Sequence, residues 1–257
     1  MGKVADETEH ACFLNDLPRE QPAGCSRLYY GAEFCFWRLP SIDNLLVARE
    51  WARKAKWDFT LVTPVLGEDE RLRLEDILKK VLPELDAGDE VLISDWGALE
   101  LVRAVRTDLT VILGRALSGQ KRGPRILDMT LTREQAEYFQ RGSWHNSDAV
   151  ELLTEKGIQR IEQDNLLQGL APLPGTLKGS LHLPYAMATS SRNCPFRPSD
   201  ESGPCSAPCD EIFTLQSSET EALLYQDGNT QFLRNECLPD NLQVLGIDRV
   251  VYHSRMV

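Results

Sequence analysis

The sequence lacks most of what would make its chemistry easy to read. No apolar run approaches the roughly 20 residues that span a bilayer, so a membrane-spanning segment is not expected. There is no excess of basic charge: the formal net charge is −11 and the pI is near 4.9. A general electrostatic attraction to nucleic acid or to anionic lipid is therefore not expected. There is no GxGxxG, no Walker loop, no HExxH and no Ser-His-Asp spacing, which leaves nucleotide-binding and hydrolase readings without a motif. The amino-terminal MGKVADETEH is acidic and lacks the apolar stretch of a secretory leader, so a cytoplasmic location is expected.

What is present is the composition of an ordinary globular chain, with 42% apolar and 26% charged residues, enough to build a core. A length of 257 residues suits one α/β barrel domain spanning residues 1–257. Short apolar runs alternate with amphipathic stretches. RLYYG (27–31) reads as a strand, and the helix after Ser41 carries Ile42, Leu45, Leu46, Ala48 and Trp51 near helical period. DFTLVTPVL (58–66) leads to a helix over 68–84, EVLIS (90–94) to a helix over 97–106, and LTVIL (109–113) to a long polar loop. A helix over 148–156, a short strand over 157–162 and GSLHLPY (179–185) follow. Such alternation predicts a parallel sheet with right-handed crossovers. Six units point to an irregular or incomplete (βα) barrel, with an open doubly wound sheet as the alternative. After Ala188 a loop rich in Ser, Pro and Cys spans 189–210, then FTLQSS and ALLYQD form a C-terminal β hairpin around Glu219.

Seven cysteines are an odd number in a chain without an export signal, so a disulfide framework is not expected; metal binding, reactivity and burial remain. Cys194, Cys205 and Cys209 fall in one loop of Pro and Gly at C-x10-C-x3-C, a backbone that can aim several sulfurs at one centre. Soft thiolates suit an iron-sulfur cluster or zinc, and a fourth ligand must come from elsewhere. Cys35, just past the first predicted strand, opens on the same carboxyl-end face if the strands are parallel. A 4Fe-4S cluster, structural zinc and unligated thiols are the three readings. Cys12, Cys25 and Cys237 read as small buried hydrophobes, with Cys237 as the spare ligand.

The run YAMATSSRNC with CPFRPSDESGPCSAPCDE resembles the cysteine region of the collagenase-like peptidase family U-32, and within it the branch serving ubiquinone biosynthesis. Ser191-Arg192-Asn193-Cys194 stands where that family opens its cysteine-rich loop. YYGAEFCFWR is similar to the family's first strand and loop, with Cys35 at the cluster-ligand position and Arg38 after it. The resemblance implies an irregular barrel, a 4Fe-4S cluster, a heterodimer with a second family member and a part in oxygen-independent hydroxylation, in some relatives with prephenate as oxygen donor. His182 occupies the stretch where the family's peptidase signature begins with Glu, so peptidase activity is not expected. A non-catalytic cluster or zinc scaffold, and the peptidase that the family name suggests, are the competing readings.

The loop GRALSGQKRGPRI sets Arg115, Lys121, Arg122 and Arg125 among glycines in an otherwise acidic chain. With Arg38 they are the candidates for binding a small anionic substrate; a solvated basic loop is the plainer reading. Asp95 is expected to cap the helix after it, His145 and Asn146, which precede a helix, to be cap and surface residues, and His182 to be a hydrogen-bonded core histidine.

Overall fold

The computed structural model describes residues 8–192, 194–198, 203–206, 209, 211–218 and 220–256. Asn193, parts of the 189–210 loop and the turn at Glu219 lie outside the described residues.

Eight parallel strands close into a barrel. In chain order they are β1 (Glu9–Phe13), β2 (Arg27–Gly31), β3 (Asp58–Val62), β4 (Glu90–Ile93), β5 (Thr110–Leu113), β6 (Arg160–Asp164) and β7 (Lys178–Leu183), with β12 (Ile247–His253) closing the ring between β7 and β1. The expected barrel is present, but it is complete rather than six-stranded. The strand character of the tail LQVLGIDRVVYH (242–253) belongs to β12, and the strand not expected is β1, where EHACF is short and opens on Glu9 and His10. The remaining strands, β8 (Tyr185–Ser190), β9 (Phe213–Ser217), β10 (Thr220–Asp227) and β11 (Thr230–Arg234), form a separate antiparallel sheet ordered β8-β11-β10-β9. The expected hairpin is therefore one edge of a four-stranded sheet.

Helices α1 (Ile42–Ala55), α2 (Arg71–Val81), α3 (Trp96–Val105), α4 (Arg133–Gln140) and α5 (Ser147–Glu155) cover the first half of the barrel, and α6 (Leu242–Leu245) is a single turn before β12. Their starts follow local chemistry. The Ser41 hydroxyl accepts from Asn44 N, the Asp95 carboxylate from Gly97 N, and the Asn146 side chain from Asp148 N, each satisfying an amide that the helix leaves open. The largest apolar cluster lies between these helices and the outer barrel face, with Leu45, Leu74, Leu78, Val102 and Leu153 against Leu28, Leu61, Val91 and Ile161. No helix of the described residues is long and apolar enough to cross a membrane.

Cys12 and Cys25 are not solitary buried thiols: they form a disulfide, with Cα atoms 6.1 Å apart. The reason is the register of neighbouring strands. Parallel pairing sets Ala11 opposite Arg27 and Cys12 opposite Leu28, so the segment entering β2, which carries Cys25, runs beside β1. Sequence spacing carries no such distance.

Candidate cysteine centre and the barrel lumen

Gly31 ends β2 at φ 144°, where a β-carbon would lie 2.1 Å from the Val62 carbonyl oxygen. Only glycine lets the two strands approach there. The chain then turns over the carboxyl end of the barrel through Glu33 and Cys35 into a single helical turn over Phe36–Arg38.

A cavity of about 270 Å³ opens at this end, and Cys35, Cys194, Cys205 and Cys209 all line it, together with Arg38. None of the four is in a disulfide, and each is partly exposed. Burial pushes the Cys35 thiol up, opposed by the backbone N–H groups of Trp37 and Arg38 and by the Arg38 charge. Cys209 is also pushed up by burial, with Arg38 opposing and the other three thiols reinforcing. Arg38 holds the arrangement from one side, donating to the Cys209 carbonyl at 2.7 Å and to Asp227 at 2.5 Å. Cys237 is exposed and does not line the cavity.

The donor set suits a thiophilic group. Among the described residues, no three His, Cys, Asp or Glu side chains gather closely enough to hold one metal ion. Tetrahedral zinc with bonds of about 2.3 Å requires its sulfurs within about 4 Å of one another. A four-iron cube keeps its thiolates further apart, because each binds a different iron.

The basic loop does not form an open anion site. Arg115 is fully buried: its guanidinium meets Glu33 at 2.6 Å and Asp164 at 3.1 Å, and it also donates to the Tyr185 carbonyl. Arg122 meets Asp164 at 2.8 Å and donates to the Arg115 carbonyl and to Ser118. Burial raises Glu33 against the pull of Arg115. Burial would raise Asp164 too, but Arg122, Arg115 and the Met187 N–H outweigh it and hold that carboxyl below the usual range. Arg115 and Arg122 thus tie the ends of β5 and β6 to the loop after β2 and to β8. Their donors are occupied, and the expected substrate role is withdrawn for both. Lys121 donates to the Arg141 carbonyl at 2.6 Å and lies over Tyr138; neither it nor Arg125 lines the cysteine cavity.

Within the barrel a second polar system runs through the lumen. Arg249 meets Glu90 at 2.7 Å and Glu9 at 2.6 Å and donates to the Tyr29 hydroxyl at 2.8 Å. Tyr29, pushed up by burial and so retaining its proton, donates in turn to Glu162 at 3.1 Å. His182 Nε2 lies 2.5 Å from Glu162, and His182 Nδ1 lies 2.7 Å from His253 Nε2. Burial, then the Arg115 charge, depress both histidines well below the usual range, so both are neutral. With Glu162 ionised, the network runs as His182 Nε2–H on the carboxylate and His253 Nε2–H on His182 Nδ1; with Glu162 protonated, every donor reverses. His253 Nδ1 is buried without a hydrogen-bond partner.

His182 is the hydrogen-bonded core histidine expected of it. Glu33, Asp164, Glu162, Arg249 and His253 were not singled out by the sequence. For Glu162 and Asp164 of β6 the signal is a polar residue at alternate strand positions, as also in Ser180 and His182 of β7, whereas in β12 the apolar Val251 separates Arg249 from His253 and Glu33 lies in the loop after β2.

No protein-family model matches the sequence, and no curated protein does. A solved structure, that of the U32 peptidase Mk0906, is similar over 100% of this chain and 96% of its own, at 13% identity and a TM-score of 0.49.

Proposed function

We propose that Cys35, Cys194, Cys205 and Cys209 hold a 4Fe-4S cluster, and that the protein is a U-32-family, UbiV-like component of oxygen-independent hydroxylation acting with a partner subunit. The observation that carries the cluster is that four thiols from two distant segments line one cavity. When bound, the cluster supplies one-electron chemistry. Arg38 keeps positive charge beside the thiolates, which favours their deprotonated form. The hydroxylation role rests on the resemblance of the two cysteine segments alone. A peptidase would need a nucleophile beside a base, whereas His182 and His253 bond to Glu162 and to each other.

The test is anaerobic purification with iron, sulfide and zinc analysis and an absorption spectrum. About four irons and four sulfides per chain, with a thiolate-to-iron band near about 400 nm, are expected. Equimolar zinc without sulfide would replace the cluster by a structural ion.

A further inference from the structure

Arg38 is not alone in gripping the cysteine segment. Its neighbour Trp37 sits in the same helical turn after Cys35, half-buried against the main apolar cluster, so its indole has a fixed place in the wall of the cysteine cavity. Two guanidinium groups lie over that ring, Arg73 of α2 at 4.7 Å from the centroid and Arg197 at 5.0 Å. A guanidinium within about 6 Å of an indole face is attracted by the negative charge of the π-system, and tryptophan attracts most strongly among the aromatic side chains. The ring therefore bridges a helix of the barrel wall and the cysteine segment.

Arg197 ties that segment together. Its backbone N–H donates to the Cys194 carbonyl at 3.2 Å, and its Nη2 donates to the Gly203 carbonyl at 2.7 Å. Fixing Arg197 thus fixes the backbone beside Cys194 and the approach to Cys205 together. Arg38 holds the Cys209 carbonyl. Residues 37 and 38 grip the segment at separate points by different chemistry, an aromatic face for Arg197 and a guanidinium for Cys209, and neither grip uses a sulfur atom.

We propose that Trp37 is a positioning residue for the cysteine centre: its indole seats Arg197, and through it Cys194 and Cys205, against the cavity that Cys35 lines. The proposal deepens, and rests on, the reading of this cavity as a cluster site, but the contact it invokes belongs to the chain itself and is testable without metal.

Metal-free protein under anaerobic conditions is treated with iodoacetamide, a neutral reagent, and the alkylation rate of each cysteine is read by mass spectrometry against the exposed Cys237. Trp37→Leu should speed alkylation of Cys194 and Cys205 about 3- to 10-fold, the range that one such contact spans, with Cys237 unchanged. Trp37→Phe restores an aromatic face and should return both to within about 2-fold of wild type. Arg197→Gln should match Trp37→Leu. Loss of the arginine charge by itself would favour the thiolates less and slow alkylation, so a faster rate reports release of the segment. The double variant should be no faster than either single one. After reconstitution with iron and sulfide, Trp37→Leu and Arg197→Gln should release iron to a chelator several-fold faster than wild type. The proposal is overturned if either variant alkylates at the wild-type rate, if Trp37→Phe behaves as Trp37→Leu, if the two effects multiply, or if the reconstituted variants hold iron as long as wild type. A chain that takes up no iron sinks the cluster reading while the alkylation rates still decide this one; unchanged alkylation with full iron uptake does the reverse.

Discussion

Arg38 reaches Asp227 at 2.5 Å with the same guanidinium nitrogen that donates to the Cys209 carbonyl at 2.7 Å. Asp227 ends β10 in the antiparallel sheet and is nearly fully buried, whereas Arg38 belongs to the turn after β2. One side chain thus joins the barrel mouth, the small sheet and the cysteine loop. Asp227→Asn keeps the shape and removes the charge that orients Arg38. Under anaerobic conditions the variant should release iron to a chelator several-fold faster than wild type, with its circular dichroism unchanged. An equal release rate would show that Arg38 does not steady the centre.

Arg115 offers a test of stability. It lies between Glu33 and Asp164 with no solvent contact, so Arg115→Ala leaves two buried carboxyls facing one another with only Arg122 in reach. Removing one member of such a buried set costs about 3–5 kcal/mol. Urea denaturation should show a loss of that order, and Arg115→Lys should recover only part of it because an ammonium cannot bond to both carboxylates as a planar fork does. A loss under about 1 kcal/mol would contradict the assignment.

The cysteines separate by place. Cys35→Ala should lose iron as severely as Cys194→Ala, although the two lie far apart in sequence, because both line the same cavity. Cys237→Ala should retain the full complement. Iron analysis of the three variants decides; full retention in Cys35→Ala, or loss in Cys237→Ala, would move the fourth ligand to Cys237.

These relationships were unequally visible in the sequence. Helices α1 to α3 and strands β2 to β5 were legible because their apolar residues repeat at periods that only one element type explains. The cysteine loop was legible from its spacing, and Cys35 from the parallel order of the strands. Strand β1 was missed because a barrel interior lined with Glu9, Arg27 and Arg249 rewards polar residues where a core strand would carry valine. The role of Arg115 was misread for a related reason. Its partners Glu33 and Asp164 lie 82 and 49 residues away, and a sequence displays a charge without displaying what neutralises it. Asp95 and Asn146 were read correctly as caps, since a cap and its amide are neighbours in the chain.

The lumen histidines give a pH dependence with a definite sign. Burial, and then Arg115, depress His182 and His253 in the folded state. The unfolded chain therefore takes up protons as pH falls through about 6.5, while the folded chain does not. Stability is full above that pH and is lost below it, by about 1.4 kcal/mol per pH unit for each histidine. Glu162 is raised by burial and contributes with the opposite sign, so the comparison must be between variants. Between about pH 6.5 and 5.5, His253→Gln should show a slope smaller than wild type by one histidine's share. Nitrogen NMR of the wild type should find His253 protonated on Nε2; a proton on Nδ1 would reverse the lumen network and make Glu162 a neutral acid.

The seam of the barrel sets the order in which the chain can fold. Arg249 clasps Glu9 across 240 residues of sequence, and β12 is the strand that joins β1 to β7. The pairs β2–β3, β3–β4 and β4–β5 need only nearby chain, so a nascent polypeptide can build that arc early, whereas the ring must wait until its last strand has left the ribosome. Until then Glu90 and Tyr29 lack their Arg249 partner. The ion pairs of Arg249 with Glu9 and Glu90 are consequently made last, with closure, whereas those of Arg27 with Glu9 and Glu90 need only the early strands, and a chain stalled short of β12 would present an open trough with two unpaired edges.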